Sequence, residues 1–319
     1  MTYDLAEKLV NGDRLALAKA ITLVENRAHG HEDILEECFR NRKPAVRIGL
    51  TGAPGSGKST LVNAMIKLLR AEGKTIGVVA VDPTSPFTGG ALLGDRVRIT
   101  TSESDEGVFI RSMASRGAVG GIAEATDDVA VLFEASGKEY VLIETVGVGQ
   151  AEVDVAASAD TTVLVLTPEA GDSVQTLKAG LMEVADVFAI NKSDRPGAER
   201  MALDIRSMLE MRASEKGWTP PIICMSAIRG EKVDELIDEI AKHREHLASC
   251  TSAADRERTY LVVKLKRAVE RMLKNDLWRG PDGSALEKIA DDIADGTTTP
   301  YAAARQILDR YRARSGQGE

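Results

Sequence analysis

The residues with the clearest chemistry form one short stretch of the chain. It follows the pattern G-x-x-x-x-G-K-[ST] with one further threonine, and consists of Gly52, Ala53, Pro54, Gly55, Ser56, Gly57, Lys58, Ser59 and Thr60. Glycines let backbone N–H groups turn inward around a phosphate chain, because no Cβ stands in the way. Lys58 can neutralise β- and γ-phosphate oxygens, and the Ser59 hydroxyl can join the shell of a Mg²⁺ ion. The stretch therefore predicts a phosphate-binding loop for a nucleoside triphosphate.

This loop has the flanking elements that such a motif needs. The apolar run Ala45 to Thr51 precedes it, and a helical pattern from Thr60 to Ala71 follows. A helix in that place adds its positive N-terminal end to the phosphate site. Without these flanks, the same residues would indicate only a glycine-rich turn.

Further apolar runs alternate with helical patterns along the chain. They are Ile76 to Val81, Tyr140 to Ile143, Thr162 to Leu166, Val187 to Ile190 and Ile222 to Met225. This alternation predicts βαβ units, and hence an α/β fold with a mainly parallel sheet. Ligands of such sheets bind at the carboxyl ends of the strands, where every motif of this chain falls.

Acidic residues follow two of the predicted strands. Asp82 directly follows the run Ile76 to Val81, and Glu144 directly follows the run Tyr140 to Ile143. Glu144 can hold Mg²⁺ through water, and the N–H of Gly147 can sense the γ-phosphate. A glycine-bordered segment carries Asp95, which can approach the same ion, and Arg98. That segment is either a switch or an ordinary surface loop, and the residues alone do not decide between them.

The signal for the base is Asn191-Lys192-Ser193-Asp194, directly after a predicted strand. An aspartate accepts hydrogen bonds from both N1–H and the exocyclic amine of guanine, which adenine cannot offer. Asn191 can hydrogen-bond the base and brace the site, and the stem of Lys192 can pack on the face of the base. After the next strand, Ser226-Ala227-Ile228 can present a backbone N–H to the guanine carbonyl. We therefore predict GTP and GDP, rather than ATP, as the ligands.

The two ends of the chain are helical in pattern. Residues 1–43 are predicted to form an N-terminal helical cap, residues 44–250 the nucleotide-binding domain, and residues 251–319 a helical extension. The extension has no chemical motif, so it either packs on the main domain or pairs with a second copy. The segment Thr167 to Lys178 is either an ordinary loop or a further mobile segment at a strand end.

Composition excludes several classes of protein. The formal net charge of −8 and pI near 5.3 argue against binding to nucleic acid, which usually requires a basic surplus. No apolar run reaches the eighteen or so residues that a membrane span needs, so we expect no membrane partner and a cytoplasmic location. Cys38, Cys224 and Cys250 are far apart, which excludes a C-x-x-C pair and suits a reducing compartment.

Longer stretches resemble the MeaB family of P-loop GTPases over nearly the whole chain. They are GAPGSGKST from Gly52, VDPTSPFTGGALLGDRVR from Val81, FIRSMASRG from Phe109, ETVGVGQAEVDV from Glu144, TPEAGDSVQTLKAG from Thr167 and NKSD from Asn191. The family comprises chaperones of adenosylcobalamin-dependent methylmalonyl-CoA mutase, and older names call its members arginine/ornithine transport ATPases.

The resemblance implies a homodimeric GTPase of the SIMIBI class. It would bind methylmalonyl-CoA mutase, gate cofactor loading from the cobalamin adenosyltransferase, and protect or reactivate the mutase. The residues that match the Mg²⁺ and hydrolysis site are Lys58, Ser59, Asp82, Asp95 and Glu144. Arg98 matches the first switch, and Asp172 and Lys178 match a third switch that faces the mutase. The helical extension matches the dimerisation arm.

One departure from the Ras-like pattern bears on mechanism. In Ras-like proteins a glutamine after the sensing glycine orients the attacking water, whereas here Val148 follows Gly147 and Gln150 is displaced. Slow intrinsic hydrolysis is therefore expected, and Asp82, Asp95 and Glu144 all stay candidates for positioning the water. A metallochaperone GTPase, a chaperone of a related acyl-CoA mutase and a small-molecule kinase are the competing functions.

Overall fold

The computed structural model describes residues 2–82, 105–114, 121–145, 158–168, 179–211, 217–250, 252–279 and 286–315. The chain divides into two compact units, residues 1–250 and residues 251–319.

The first unit is built on a parallel sheet of seven described strands. They are β1 (Val46–Thr51), β2 (Ile76–Asp82), β3 (Val108–Ala114), β4 (Tyr140–Thr145), β5 (Thr161–Leu166), β6 (Val187–Ile190) and β7 (Ile222–Cys224). Their order across the sheet is β3-β2-β4-β1-β5-β6-β7. Every pairing is parallel, so all the carboxyl ends lie along one edge. The predicted α/β fold is confirmed.

Helices lie on both faces of this sheet. The N-terminal ones are α1 (Thr2–Val10), α2 (Arg14–Glu25) and α3 (His31–Arg40); the others in this unit are α4 (Lys58–Ala71), α5 (Gly121–Ala135), α6 (Ala179–Val184), α7 (Ala198–Met211) and α8 (Val233–Cys250). Alternate strand residues point to opposite faces. Ile48 and Leu50 therefore join one core with α4 and α8, while Val141 and Ile143 join another with α1, α2, α3 and α5.

The strand β3 was not among the predicted strands. It pairs with β2 along its whole length, from Ile76 opposite Val108 to Asp82 opposite Ala114. The polar pair Arg111-Ser112 interrupts its apolar pattern. Arg111 is paired with Glu25 of α2, so a helix packed across the sheet satisfies a charge that the sequence pattern alone disfavours in a strand.

The second unit is helical where the structure describes it. Its helices are α9 (Ala253–Arg279), α10 (Leu286–Ala294) and α11 (Pro300–Ser315). Proline suits the first position of α11 because the N–H that it lacks would have no helical partner. The Thr299 hydroxyl accepts a hydrogen bond from the Ala302 N–H at 3.2 Å, which caps this helix. Several apolar side chains of α9 are exposed, among them Leu265, Val269 and Met272.

Among the described helices, none combines the length and the apolar character required to cross a membrane.

Candidate functional site

Four strands bring most of the described site residues to one edge of the sheet. The glycine-rich loop follows β1, Glu144 lies in β4, Asn191 follows β6, and Ser226 follows β7. The register places Leu50 beside Glu144 and Ile190 beside Cys224. Motifs that are more than 170 residues apart in the chain therefore meet because parallel strands end together.

The glycine-rich loop is shaped by two close approaches. A Cβ on Gly52 would lie 2.1 Å from the carbonyl oxygen of Val165 in β5, and a Cβ on Gly57 would lie 2.2 Å from Nδ2 of Asn191. Both glycines have positive φ angles, 140° and 92°, which other residues rarely adopt. The loop thus needs glycine at these positions for its backbone angle and for space.

Lys58 begins α4 and lies across this loop. Its side chain is buried, and its Nζ donates to the carbonyl oxygens of Gly52 at 2.7 Å and of Ala53 at 3.0 Å. Carbonyl oxygens are neutral acceptors, and charged acceptors form stronger hydrogen bonds with an ammonium group. A phosphate oxygen can therefore replace them.

Ser59 and Glu144 face each other beside the loop. The Ser59 hydroxyl donates to Oε1 of Glu144 at 2.6 Å, and Glu144 is only 6% exposed. Oxygen donors of this kind are the ligands that Mg²⁺ prefers. In the same loop, the buried Oγ of Ser56 has no hydrogen-bond partner. The pair and this unsatisfied hydroxyl fit a site for a phosphate chain with its metal ion.

The other predicted phosphate-side residues are placed only in part. Asp82 is the last residue of β2, two positions beyond Ala80, which lies beside Glu144 in the sheet. Its backbone therefore reaches the same edge on the strand next to β4. Asp95, Arg98, Gly147, Asp172 and Lys178 lie outside the described residues.

Asn191 joins the predicted phosphate side of the edge to the predicted base side. Its Nδ2 donates to the carbonyl oxygen of Ser56 at 2.8 Å, and its Oδ1 accepts from the Ala227 N–H at 2.9 Å. The side chain is buried, and its backbone N–H donates to Leu166 O in β5. One amide thus holds the loop after β1 against the turn after β7.

The predicted base-reading residues lie around Asp194. The Ser226 hydroxyl donates to Oδ1 of Asp194 at 3.1 Å, while Lys192 has a φ of 60° and is half-buried. Ile228 is 80% exposed at the tip of the turn that follows β7. The backbone N–H groups of Ser226 and Ala227 were predicted to donate to the guanine carbonyl. In the structure they donate within the protein, to Glu231 O and Asn191 Oδ1 respectively.

Two features of this edge were not found from the sequence. The first is the partner of Asn191: the sequence predicted that this side chain can brace the site, but no local pattern signals its contact with Ser56, 135 positions away. The other is Arg229, whose guanidinium lies 3.7 Å from the Asp194 carboxylate. A cation three residues after Ser226 was visible in the sequence, but only the turn brings it to Asp194.

Comparison with known proteins gives a consistent result. The family profile described as "Methylmalonyl Co-A mutase-associated GTPase MeaB" matches residues 17–282. A Pyrococcus abyssi protein named "Putative GTPase" is 42% identical over 97% of this chain and 96% of its own. The mouse protein named methylmalonic aciduria type A homolog, mitochondrial, is 34% identical over 96% of this chain and 78% of its own. A crystal structure of a LAO/AO transport system kinase superposes with a TM-score of 0.71 at 29% identity, covering 98% of this chain and 97% of that one.

Proposed function

The chain belongs to the MeaB family of GTPases, and on that premise we propose that it hydrolyses GTP to assist an adenosylcobalamin-dependent methylmalonyl-CoA mutase. GTPase activity and guanine-nucleotide binding follow from the family. The mutase as client is supported by the description of the family and by the name of the mouse relative. Gating of cofactor loading, together with protection or reactivation of the mutase, completes the proposed role.

One observation carries the assignment of the nucleotide site. Asn191 is hydrogen-bonded to both Ser56 in the phosphate loop and Ala227 in the turn after β7. A site that binds a phosphate chain at one end and a base at the other needs the two ends at a fixed separation. We assign the nucleotide to this edge for that reason, with its phosphates at residues 52–60 and its base at Asp194.

The phosphate side has residues for each task. Lys58 would exchange its contacts with Gly52 O and Ala53 O for oxygens of the β- and γ-phosphates. Ser59 and Glu144 would hold Mg²⁺, with Asp82 and Asp95 as further candidates. The ion, when bound, neutralises charge on the transferred phosphoryl group.

Slow turnover by the protein alone is part of the proposal. A GTPase that lacks the water-orienting glutamine has a site with suitable charge but incomplete geometry, and a bound partner can supply the missing order. Tenfold stimulation requires only about 1.4 kcal/mol of extra transition-state stabilisation, which ordering one loop can provide. We propose that Arg98 belongs to a first switch, that Asp172 and Lys178 belong to a third switch that faces the mutase, and that Gly147 senses the γ-phosphate.

The test is GTP turnover with and without purified methylmalonyl-CoA mutase. We expect slow release of phosphate by the wild type alone and marked stimulation by the mutase. Lys58→Ala should impair turnover under both conditions, whereas Lys178→Ala should reduce the stimulation more than the basal rate. Absence of any mutase effect on the wild type would overturn the proposed client. Equal proportional losses of basal and stimulated turnover in Lys178→Ala would remove that residue from the partner surface.

Residues 251–319 are proposed to be a dimerisation arm. The exposed apolar side chains of α9 support this proposal, because a continuous apolar helix face in water usually has a partner. These residues form one compact unit, and the nucleotide site proposed above lies in the other, residues 1–250.

A further inference from the structure

Arg229 lies on a turn whose backbone is closed on itself. The Ser226 N–H donates to Glu231 O at 3.2 Å, and the Glu231 N–H donates back to Ser226 O at 3.1 Å. Gly230, with a φ of 69°, lets the chain reverse between them. The backbone position of Arg229 is therefore fixed relative to Ser226, which itself contacts Asp194.

The Arg229 guanidinium is directed back at the base-reading carboxylate. Its Nη2 is 3.7 Å from Oδ2 of Asp194, and its Nη1 is 3.8 Å from Oε1 of Glu231. The arginine side chain is 57% exposed, whereas that of Asp194 is 22% exposed. An exposed cation thus lies beside a carboxylate that the rest of the fold largely covers.

This contact leaves the carboxylate able to read a base. A separation of 3.7 Å is too long for a hydrogen bond, so Arg229 attracts Asp194 without occupying a lone pair of Oδ2. Ser226 occupies one acceptor site on Oδ1, and an ionised carboxylate offers about four such sites. Guanine N1–H and its exocyclic amine can therefore bind while both contacts persist.

We propose that Arg229 is a positioning residue for guanine recognition, which orients the Asp194 carboxylate together with Ser226. The inference rests on the proposed nucleotide site. It deepens that proposal, because Arg229 lies outside both base-recognition motifs, Asn191 to Asp194 and Ser226 to Ile228. Ion pairs of comparable exposure contribute only modestly to stability. The corresponding change in GDP affinity on loss of Arg229 is about two- to fivefold. Salt should weaken the effect, because the pair is only partly shielded from solvent.

The test measures, by calorimetry, the affinities of the wild type and its variants for GDP and for inosine diphosphate (IDP). The base of IDP lacks the exocyclic amine of guanine. Arg229→Ala should weaken GDP binding about two- to fivefold and narrow the preference for GDP over IDP. Arg229→Lys should restore most of the loss because it keeps the charge. Lys242→Ala is the matched control, since it removes one surface cation whose partner is Glu239 rather than Asp194. It should leave GDP binding unchanged.

A double-mutant cycle separates a contact through Asp194 from a general effect of charge. In an Asp194→Asn background, the further change Arg229→Ala should have no effect on GDP affinity. An equal loss in both backgrounds, or wild-type GDP affinity in Arg229→Ala, would overturn the role of Arg229. If Asp194→Asn itself leaves GDP binding unchanged, the proposed base site fails instead, so the two failures are distinguishable.

Discussion

The side-chain amide of Asn191 donates to the carbonyl oxygen of Ser56 at 2.8 Å, so the residue after β6 fixes the loop after β1. The same side chain accepts from the Ala227 N–H at 2.9 Å. A buried amide with both ends satisfied is rigid, because losing either hydrogen bond leaves an unsatisfied polar group. The glycine-rich loop and the turn after β7 are therefore held together at this residue.

The first prediction concerns this brace. Asn191→Ala should lower the free energy of unfolding by about 1–3 kcal/mol, because the N–H of Ala227 and the carbonyl of Ser56 lose their partner. Asn191→Asp keeps the acceptor for Ala227 but removes the donor to Ser56. Both variants should weaken GDP binding, because each loosens the loop that holds the phosphates in our proposal. Urea unfolding and calorimetric GDP titration measure the two effects. Wild-type GDP affinity in Asn191→Ala would show that the two halves of the site are independent.

The second prediction concerns the space at Gly57. Gly57→Ala places a Cβ 2.2 Å from Nδ2 of Asn191, whereas Gly73, at a similar φ of 78°, has nothing within 4 Å of its Cβ. Both substitutions should cost roughly 1–2 kcal/mol of stability for the left-handed backbone. Only Gly57→Ala should also displace the brace and reduce GDP affinity. Equal GDP affinities for Gly57→Ala and Gly73→Ala would contradict the close approach.

The sequence was sufficient to predict six of the seven described strands, because those six strands are mostly apolar. The predicted runs Ile76 to Val81 and Val187 to Ile190 match β2 and β6 within one residue. The strand β3 was missed because Arg111 breaks its pattern, and its partner Glu25 lies 86 residues away. Local pattern cannot report a charge that is satisfied by a distant helix.

The same limit applies within the site. The glycine-rich loop and the Asn191 to Asp194 stretch are contiguous motifs, so their residues could be named from the sequence. The contacts of Asn191 with Ser56 and of Arg229 with Asp194 join separate strands and appear only in the folded chain. Outside the site, Arg47 at the opposite end of β1 shows the same limit, since it is buried between the carboxylates of Asp127 and Glu134 in α5.

The third prediction concerns thiol reactivity. Burial raises the pKa of the Cys38 thiol to about 12, whereas Cys250 is exposed. A thiol reagent such as DTNB at pH 8 should therefore modify Cys250 rapidly and Cys38 only after unfolding, because the thiolate is the reactive form. Cys250→Ser should remove the fast phase. Rapid modification of Cys38 in the folded protein would contradict the packing of α3 against α5.

The fourth prediction concerns the proposed dimerisation arm. Removing residues 251–319 deletes one whole compact unit and leaves the proposed nucleotide site in the other. The truncated protein should sediment as a monomer and keep GDP affinity close to that of the full chain, whereas the full chain should sediment as a dimer. A dimeric truncated protein would place the pairing surface within residues 1–250.

The most direct test of the nucleotide site is the base preference of Asp194→Asn. We predict that the wild type prefers GDP to xanthosine diphosphate (XDP) and that the variant reverses this order. The carboxylate of Asp194 matches the amine of guanine, whereas the amide N–H of an asparagine matches the 2-oxo group of xanthine. Calorimetric affinities for both nucleotides, with ADP as the control, measure the change. Reversal of the preference would support base recognition by Asp194 at the carboxyl edge of the sheet, and unchanged GDP affinity with no gain for XDP would contradict it.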